Sequence, residues 1–160
     1  GYPAASGSVT LNGIETIGYY AFSGCTALKT ANLPAATSIS TWAFYGCTAL
    51  TTVSLPAATD IGSGAFTFCT GNTALTVTLG GTVPTLGTEM FYYVTSPKTV
   101  TVKVPSGAAA WNGKTGSFTG AGTADNWGNG FRGGGWNGSN MRNGSYVNSN
   151  ISLTIETYNP

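Results

Sequence analysis

Two adjacent stretches of this chain are nearly the same, and they constrain the fold more than any other feature. Residues 17–38 are followed at once by residues 39–60, and matched residues lie 22 apart: Ile17 and Ile39, Phe22 and Phe44, Cys25 and Cys47, Leu28 and Leu50. A fixed period of roughly 20–29 residues with regular leucines is the mark of a leucine-rich solenoid, in which each coil hides its apolar side only by stacking on the next.

The units divide further. Val9-Thr-Leu11, Ala31-Asn-Leu33 and Val53-Ser-Leu55 alternate apolar and polar residues, as half-buried strands do, so Val9–Leu11 closes a first, incomplete coil. Leu33-Pro34 and Leu55-Pro56 end the strands, because proline has no N–H to give to a ladder. Ile-x-x-x-Ala-Phe then crosses the opposite wall, and Gly24 and Gly46 allow the tight turn before Cys and Leu re-enter the core. In the third coil Ile61, Phe66 and Cys69 keep the register. Cys69 to Leu79 is 10 residues where Cys47 to Leu55 is 8, so an extra turn is expected at residues 70–73. A fourth coil runs from Leu86 through Phe91, with Met90 in the Ala slot and Val94 in the Cys slot. Its strand, Thr99–Val104, is closed by Pro105. Phe22, Phe44, Phe66 and Phe91 are predicted to stack as one internal column.

The repeat stops at Ser106. The tail is rich in Gly and Asn, with Trp111, Trp127, Phe131 and Trp136 set among them, and Ile151–Ile155 alternates as a last strand. A solenoid end exposes unpaired backbone and an apolar cross-section that must be covered. The tail has too few aliphatic residues for a core of its own. The expectation is therefore one mainly-β domain over residues 1–160: a leucine-rich repeat solenoid of about four coils (9–105) with a Gly/Asn/Trp-rich C-terminal cap (106–160).

Six Lys and Arg stand against five Asp and Glu, which excludes the clustered basic face that nucleic acid requires. No apolar run approaches the roughly 20 residues of a membrane span. No signal-peptide pattern follows Gly1, so any export signal or anchor is expected outside this stretch.

Catalytic, metal and cofactor sites are not expected. The chain has no histidine to activate Ser or Cys or to complete a zinc site, and Glu15, Asp60, Glu89, Asp125 and Glu156 are scattered. Cys25, Cys47 and Cys69 share one slot, which makes a vertical ladder of free thiols rather than a cluster.

Binding is left open. Tyr20 and Trp42 share one slot, and Ser23, Tyr45, Thr67 and Tyr92 share another. Tyr20, Trp42, Tyr45 and Tyr92 are candidate partner contacts; the alternative is rings packed on neighbouring turns. Outward Thr30, Asn32, Thr52, Ser54, Thr76, Thr78, Thr101 and Lys103 form a polar sheet that is either a recognition surface or simply solvated. If the tail is a small ligand-binding module instead of a cap, Trp111, Trp127 and Trp136 are its candidate glycan platforms. Asn137, Asn143 and Asn150 open Asn-x-Ser triplets and read as turn residues.

The run Ala-Phe-x-x-Cys-x-x-Leu-x-x-x-x-Leu-Pro, at residues 21–34 and 43–56, resembles the repeat of BspA-like bacterial leucine-rich repeat proteins, and the likeness extends over residues 9–105. The resemblance implies a right-handed parallel solenoid on an exported, cell-surface or secreted bacterial protein. It also implies a non-enzymatic role in adhesion, with a host or bacterial surface protein as partner. Gly80-Gly81 and Val94 depart from the pattern, and the tail lies outside it.

Overall fold

The computed structural model describes residues 7–121, 123, 125–134 and 146–160. Trp136, Asn137 and Asn143 lie outside them. In chain order the strands of the coils are β1 (Ser8–Thr10), β2 (Thr16–Ile17), β3 (Thr30–Asn32), β4 (Ser38–Ile39), β5 (Thr52–Leu55), β6 (Asp60–Ile61), β7 (Ala74–Leu79), β8 (Thr85–Leu86) and β9 (Lys98–Pro105). A 3₁₀ turn (Ala109–Trp111), β10 (Gly116–Phe118), α1 (Trp127–Phe131) and β11 (Ile151–Tyr158) follow.

Odd-numbered strands and β10 build a long wall in the order β1-β3-β5-β7-β9-β11-β10, and β2-β4-β6-β8 build a short one. Within the coils all pairings are parallel, in the register the period demands. Val53 lies on Ala31 and under Val77, and Ile39 lies between Ile17 and Ile61. The fourth coil is offset by 25 residues, with Leu86 on Ile61.

Between the walls runs the predicted phenylalanine column. Phe22 and Phe44 stack at 5.2 Å, Phe44 and Phe66 at 5.7 Å, and Phe66 and Phe91 at 5.4 Å, with all four rings fully buried. Each burial contributes roughly 2–3 kcal/mol. The corners are tied by threonines. Oγ1 of Thr37 donates to the Glu15 carbonyl, that of Thr59 to Thr37 and that of Thr85 to Thr59, so each coil caps the one before it.

The thiol ladder is also present, with a role for sulfur. Cys47 Sγ donates to the Phe22 carbonyl at 3.1 Å and Cys69 Sγ to that of Phe44 at 3.2 Å. Burial pushes both thiols up, Cys69 to about 12, so they stay protonated and able to donate. In the fourth coil Val94 cannot donate. There the Asn148 amide from the tail bonds the Phe91 and Val94 carbonyls at 3.0 and 2.8 Å.

The tail covers the last coil in two ways. β11 adds to β9 in parallel over eight residues, as a further rung, and antiparallel β10 closes the edge. On the other side Phe131 sets its ring edge-on to Phe66 and Phe91, at 6.0 and 5.6 Å, ending the column. Trp127 stacks on Phe131 at 5.3 Å, and Trp111 meets Trp127 edge-on at 5.0 Å. Gly80 lies close against the preceding coil: a Cβ there would lie 1.9 Å from the Pro56 carbonyl oxygen. That contact explains the departure from proline at Gly80.

Candidate functional site

A strip of aromatic rings runs along the turns that leave the short wall. Each coil makes two left-handed backbone positions there. One slot holds Tyr20, Trp42, Gly64 and Glu89, with φ of 56, 55, 63 and 58°. The other holds Gly24, Gly46, Phe68 and Tyr93, with φ of 72, 70, 60 and 61°. A side chain in this region costs about 1–2 kcal/mol that glycine avoids. Tyr20, Trp42, Phe68, Glu89 and Tyr93 are the five non-glycine residues with positive φ among the described residues, and all five sit on this strip.

The rings touch in sequence. Tyr19 contacts Tyr20 at 4.4 Å and Trp42 at 5.6 Å, Tyr20 lies 5.2 Å from Trp42 and 5.7 Å from Tyr45, and Tyr45 meets Phe68 at 5.3 Å. Phe68 stacks on Tyr93 at 4.4 Å, and Tyr93 lies 4.0 Å from Tyr92. Tyr19 is 60 % exposed, and Tyr20 and Tyr93 are each 36 % exposed.

Three of the four predicted contact residues, Tyr20, Trp42 and Tyr45, therefore sit together with accessible faces. Tyr92 does not. At 8 % exposure it is closed in, and its neighbour Tyr93 presents the ring in its place. Phe68 and Tyr93 were missed because their slot reads as glycine in the first two coils; an aromatic at a glycine position was the available signal. Tyr19 carried no signal beyond adjacency to Tyr20.

Where the third coil has small residues, the strip is notched. A depression of about 200 Å³ opens between Trp42 and Tyr45 on one side and Glu89, Tyr92 and Tyr93 on the other, with Thr67 lining it. Trp42 leans over Gly64: a Cβ there would lie 2.3 Å from Trp42 Cδ1 and 2.8 Å from Thr67 Oγ1.

Of the tail tryptophans, Trp136 lies outside the described residues, and Trp111 and Trp127 pack in the cap. Trp111 is 2 % exposed and its Nε1 donates to the Gly80 carbonyl at 2.9 Å, so it has no free face for a sugar. Trp127 is half-buried and its Nε1 donates to the Pro84 carbonyl at 2.8 Å. Both anchor the cap. Beside Trp127, Phe118, Lys114 and Asn126 line a smaller hollow of about 140 Å³.

Among the described residues, no group of three or more His, Cys, Asp or Glu could hold a metal, and no helix is long and apolar enough to cross a membrane. Two buried cations serve the fold. Lys98 is lowered by burial, with the Cys69 thiol acting in the opposite sense, and its Nζ donates to the Asn72 carbonyl. Arg132, also lowered by burial, donates to the carbonyls of Ile151 and Gly120 and to Asn129 Oδ1.

Fold and surface together define a leucine-rich repeat β-solenoid with an aromatic strip on its turn side. The chain belongs to the BspA-type leucine-rich repeat family: the family model described as "BspA type Leucine rich repeat region" matches residues 6–112 in six copies. The family is typically non-enzymatic and in general surface-associated, and it suggests protein–protein interaction or adhesion. Comparison with curated proteins and with solved structures gives no match.

Proposed function

We propose that this chain is a non-enzymatic adhesive module, displayed on a bacterial cell surface or secreted, which binds a host or bacterial surface protein through the aromatic strip of its solenoid. One observation carries the reading. Every non-glycine residue held at positive φ among the described residues lies on that strip, and four of the five are aromatic. Backbone strain of this kind collects at functional sites. Tyr and Trp are also the residue types that dominate the energy of protein interfaces. On the long wall the outward side chains of β1, β3, β5 and β7 are short and polar, and Lys103 pairs with Glu156 at 3.9 Å.

The test is capture of the purified chain on immobilised host-matrix proteins and on bacterial cell envelopes. A Tyr20→Ala/Trp42→Ala double variant is expected to bind at least about ten-fold more weakly, since loss of an interface aromatic commonly costs more than 1.4 kcal/mol. An Asn32→Ala/Ser54→Ala variant on the long wall should bind as wild type. Equal capture by the aromatic double variant and wild type would remove the strip from the interface. Silence on every surface would leave the chain a spacer.

A further inference from the structure

We propose that the aromatic strip takes a proline-rich segment of the adhesion partner in the polyproline II conformation, laid along the solenoid axis with one proline ring seated in the depression between the second and fourth coils. The proposal rests on the adhesive reading of the same strip and names the kind of chain that the strip selects.

The depression follows from the repeat. At the two slots that carry Trp42 and Tyr45 in the second coil, the third coil has Gly64 and Thr67. Tyr92 and Tyr93 of the fourth coil close the far side. Its volume of about 200 Å³ suits one side chain, since sites that enclose a drug-sized ligand run to roughly 300–1,000 Å³. Coils stack at about 4.8 Å, so equivalent points two coils apart are separated by about 9.6 Å. A polyproline II helix has three residues per turn and rises about 3.1 Å per residue, which puts positions i and i+3 on one face about 9.3 Å apart. A proline in the depression over the third coil therefore brings another, three residues away, onto the first coil, where Tyr19 and Tyr20 are 60 % and 36 % exposed. The Trp42 indole stands between the two.

Other peptide conformations fit less well. A strand presents one face every 6.6–6.8 Å or about that, which matches neither one coil nor two. An α-helix presents one about every 5.4 Å and needs a recess at each coil. Here Tyr20 and Trp42 fill, in the first two coils, the slot that Gly64 leaves open in the third. A polyproline II segment is also stiff before it binds, so little freedom is lost and a contact of a few rings suffices to hold it.

Hydrogen bonding supplies an independent observation that selects the same ligand. Trp111 and Trp127 donate their indole N–H to carbonyls of the chain, whereas that of Trp42 has no partner among the described residues. Nor is it enclosed: among the described residues, the buried side-chain polar atom without a partner is Thr67 Oγ1. The Cδ1–Nε1 edge of Trp42 lies over Gly64, on the third-coil side of the ring, so the unpaired N–H borders the depression. Proline has no N–H, and polyproline II makes no internal hydrogen bonds, so such a segment offers a row of carbonyl acceptors and few donors. Ring faces beside an accessible indole donor are its complement, with apolar contact for the pyrrolidine rings and an N–H for a carbonyl between them.

The experiment titrates the intact chain, by NMR of backbone and indole N–H groups, with decaproline and with an alanine-rich helical peptide and a glycine–serine peptide of the same length. Decaproline should bind at millimolar concentration or below, moving the Trp42 indole signal and leaving the amides of β3 and β5 in place, and the other two peptides should not bind. Tyr45→Ala, which removes one wall of the recess, should abolish binding. Trp42→Phe keeps a ring and removes the donor. It should weaken binding about five-fold, with little change in melting temperature because the N–H has no internal bond to lose. No binding of decaproline, full binding by Trp42→Phe, or tighter binding of the helical peptide would overturn the proposal. Competition separates it from adhesion. Capture on host-matrix proteins or bacterial envelopes that saturating decaproline leaves unchanged, but that the Tyr20→Ala/Trp42→Ala variant loses, sinks the proline ligand and leaves adhesion standing. Decaproline binding by a chain that no surface captures removes adhesion and leaves the proline site, whereas capture displaced by decaproline supports both.

Discussion

In the coils one residue type does one job from level to level: phenylalanine fills the centre, threonine ties the corner, and up to the third coil cysteine donates to the carbonyl one coil back. In the cap each of those jobs falls to a different residue. Phe131 ends the column edge-on rather than stacked, Asn148 takes over from the thiols, and Arg132 ties three segments where the corner threonines tie two. The difference teaches what a repeat can and cannot provide. Identical neighbours satisfy one another's polar groups automatically, but the last coil has no such neighbour, so its exposed carbonyls and ring face need partners chosen singly.

The comparison can be broken most forcefully at the column. Phe44→Ala and Phe66→Ala, each with a ring stacked on both sides, should cost about 3–5 kcal/mol and be the most damaging of the four phenylalanine truncations, read by urea denaturation. A midpoint equal to wild type would contradict the stacked core. On the cap side, Arg132→Ala leaves the carbonyls of Gly120 and Ile151 without their donor and should cost about 2–3 kcal/mol. Its signature should be early exchange of β10 and β11 amides while the coils stay protected.

Smaller effects sharpen the contrast. Trp111→Phe keeps the ring but removes the bond to Gly80, an expected loss of about 1 kcal/mol that shows as a small drop in melting temperature. The thiol ladder predicts a pH dependence. Cys47 and Cys69 hold their protons in the folded chain above the ordinary thiol value of 9.0, whereas the unfolded chain releases them. Their contribution is complete below pH 9 and is lost as pH rises, for Cys69 towards about 12. At pH 10 this amounts to about 1 kcal/mol per thiol. A Cys47→Ala/Cys69→Ala variant should show a shallower decline in urea midpoint between pH 8 and 10. Least of all should Phe68→Gly affect stability. Relief of the left-handed backbone offsets the lost ring contacts, for a net change under about 1 kcal/mol, while capture on the partner weakens.

The architecture of the coils was legible because stacking forces equivalent residues into register, so spacing alone located the Phe column and the thiols. The cap was legible only as a need. Ile151–Ile155 alternates like a strand, but nothing local says that it pairs in parallel with β9 across some fifty intervening residues. The roles of Trp111 and Arg132 depend on carbonyls contributed by distant segments, which no pattern along the chain encodes. At the aromatic strip, Tyr20, Trp42 and Tyr45 were found by slot. Tyr92 was found by slot as well, but the slot is accessible in the first two coils whereas in the fourth its neighbours close over it.

The long-wall strands lengthen along the chain, from three residues in β1 and β3 through four in β5 and six in β7 to eight in β9 and β11. Cross-coil amide bonds multiply in the same direction, so the molecule has a soft end and a stiff end. Under a pulling force along the axis the early coils are expected to open before the late ones. The aromatic strip, which starts at Tyr19 in the first complete coil and ends at Tyr93 beside the cap, spans that gradient. An adhesive contact made near Tyr93 would outlast one made at Tyr19 under load.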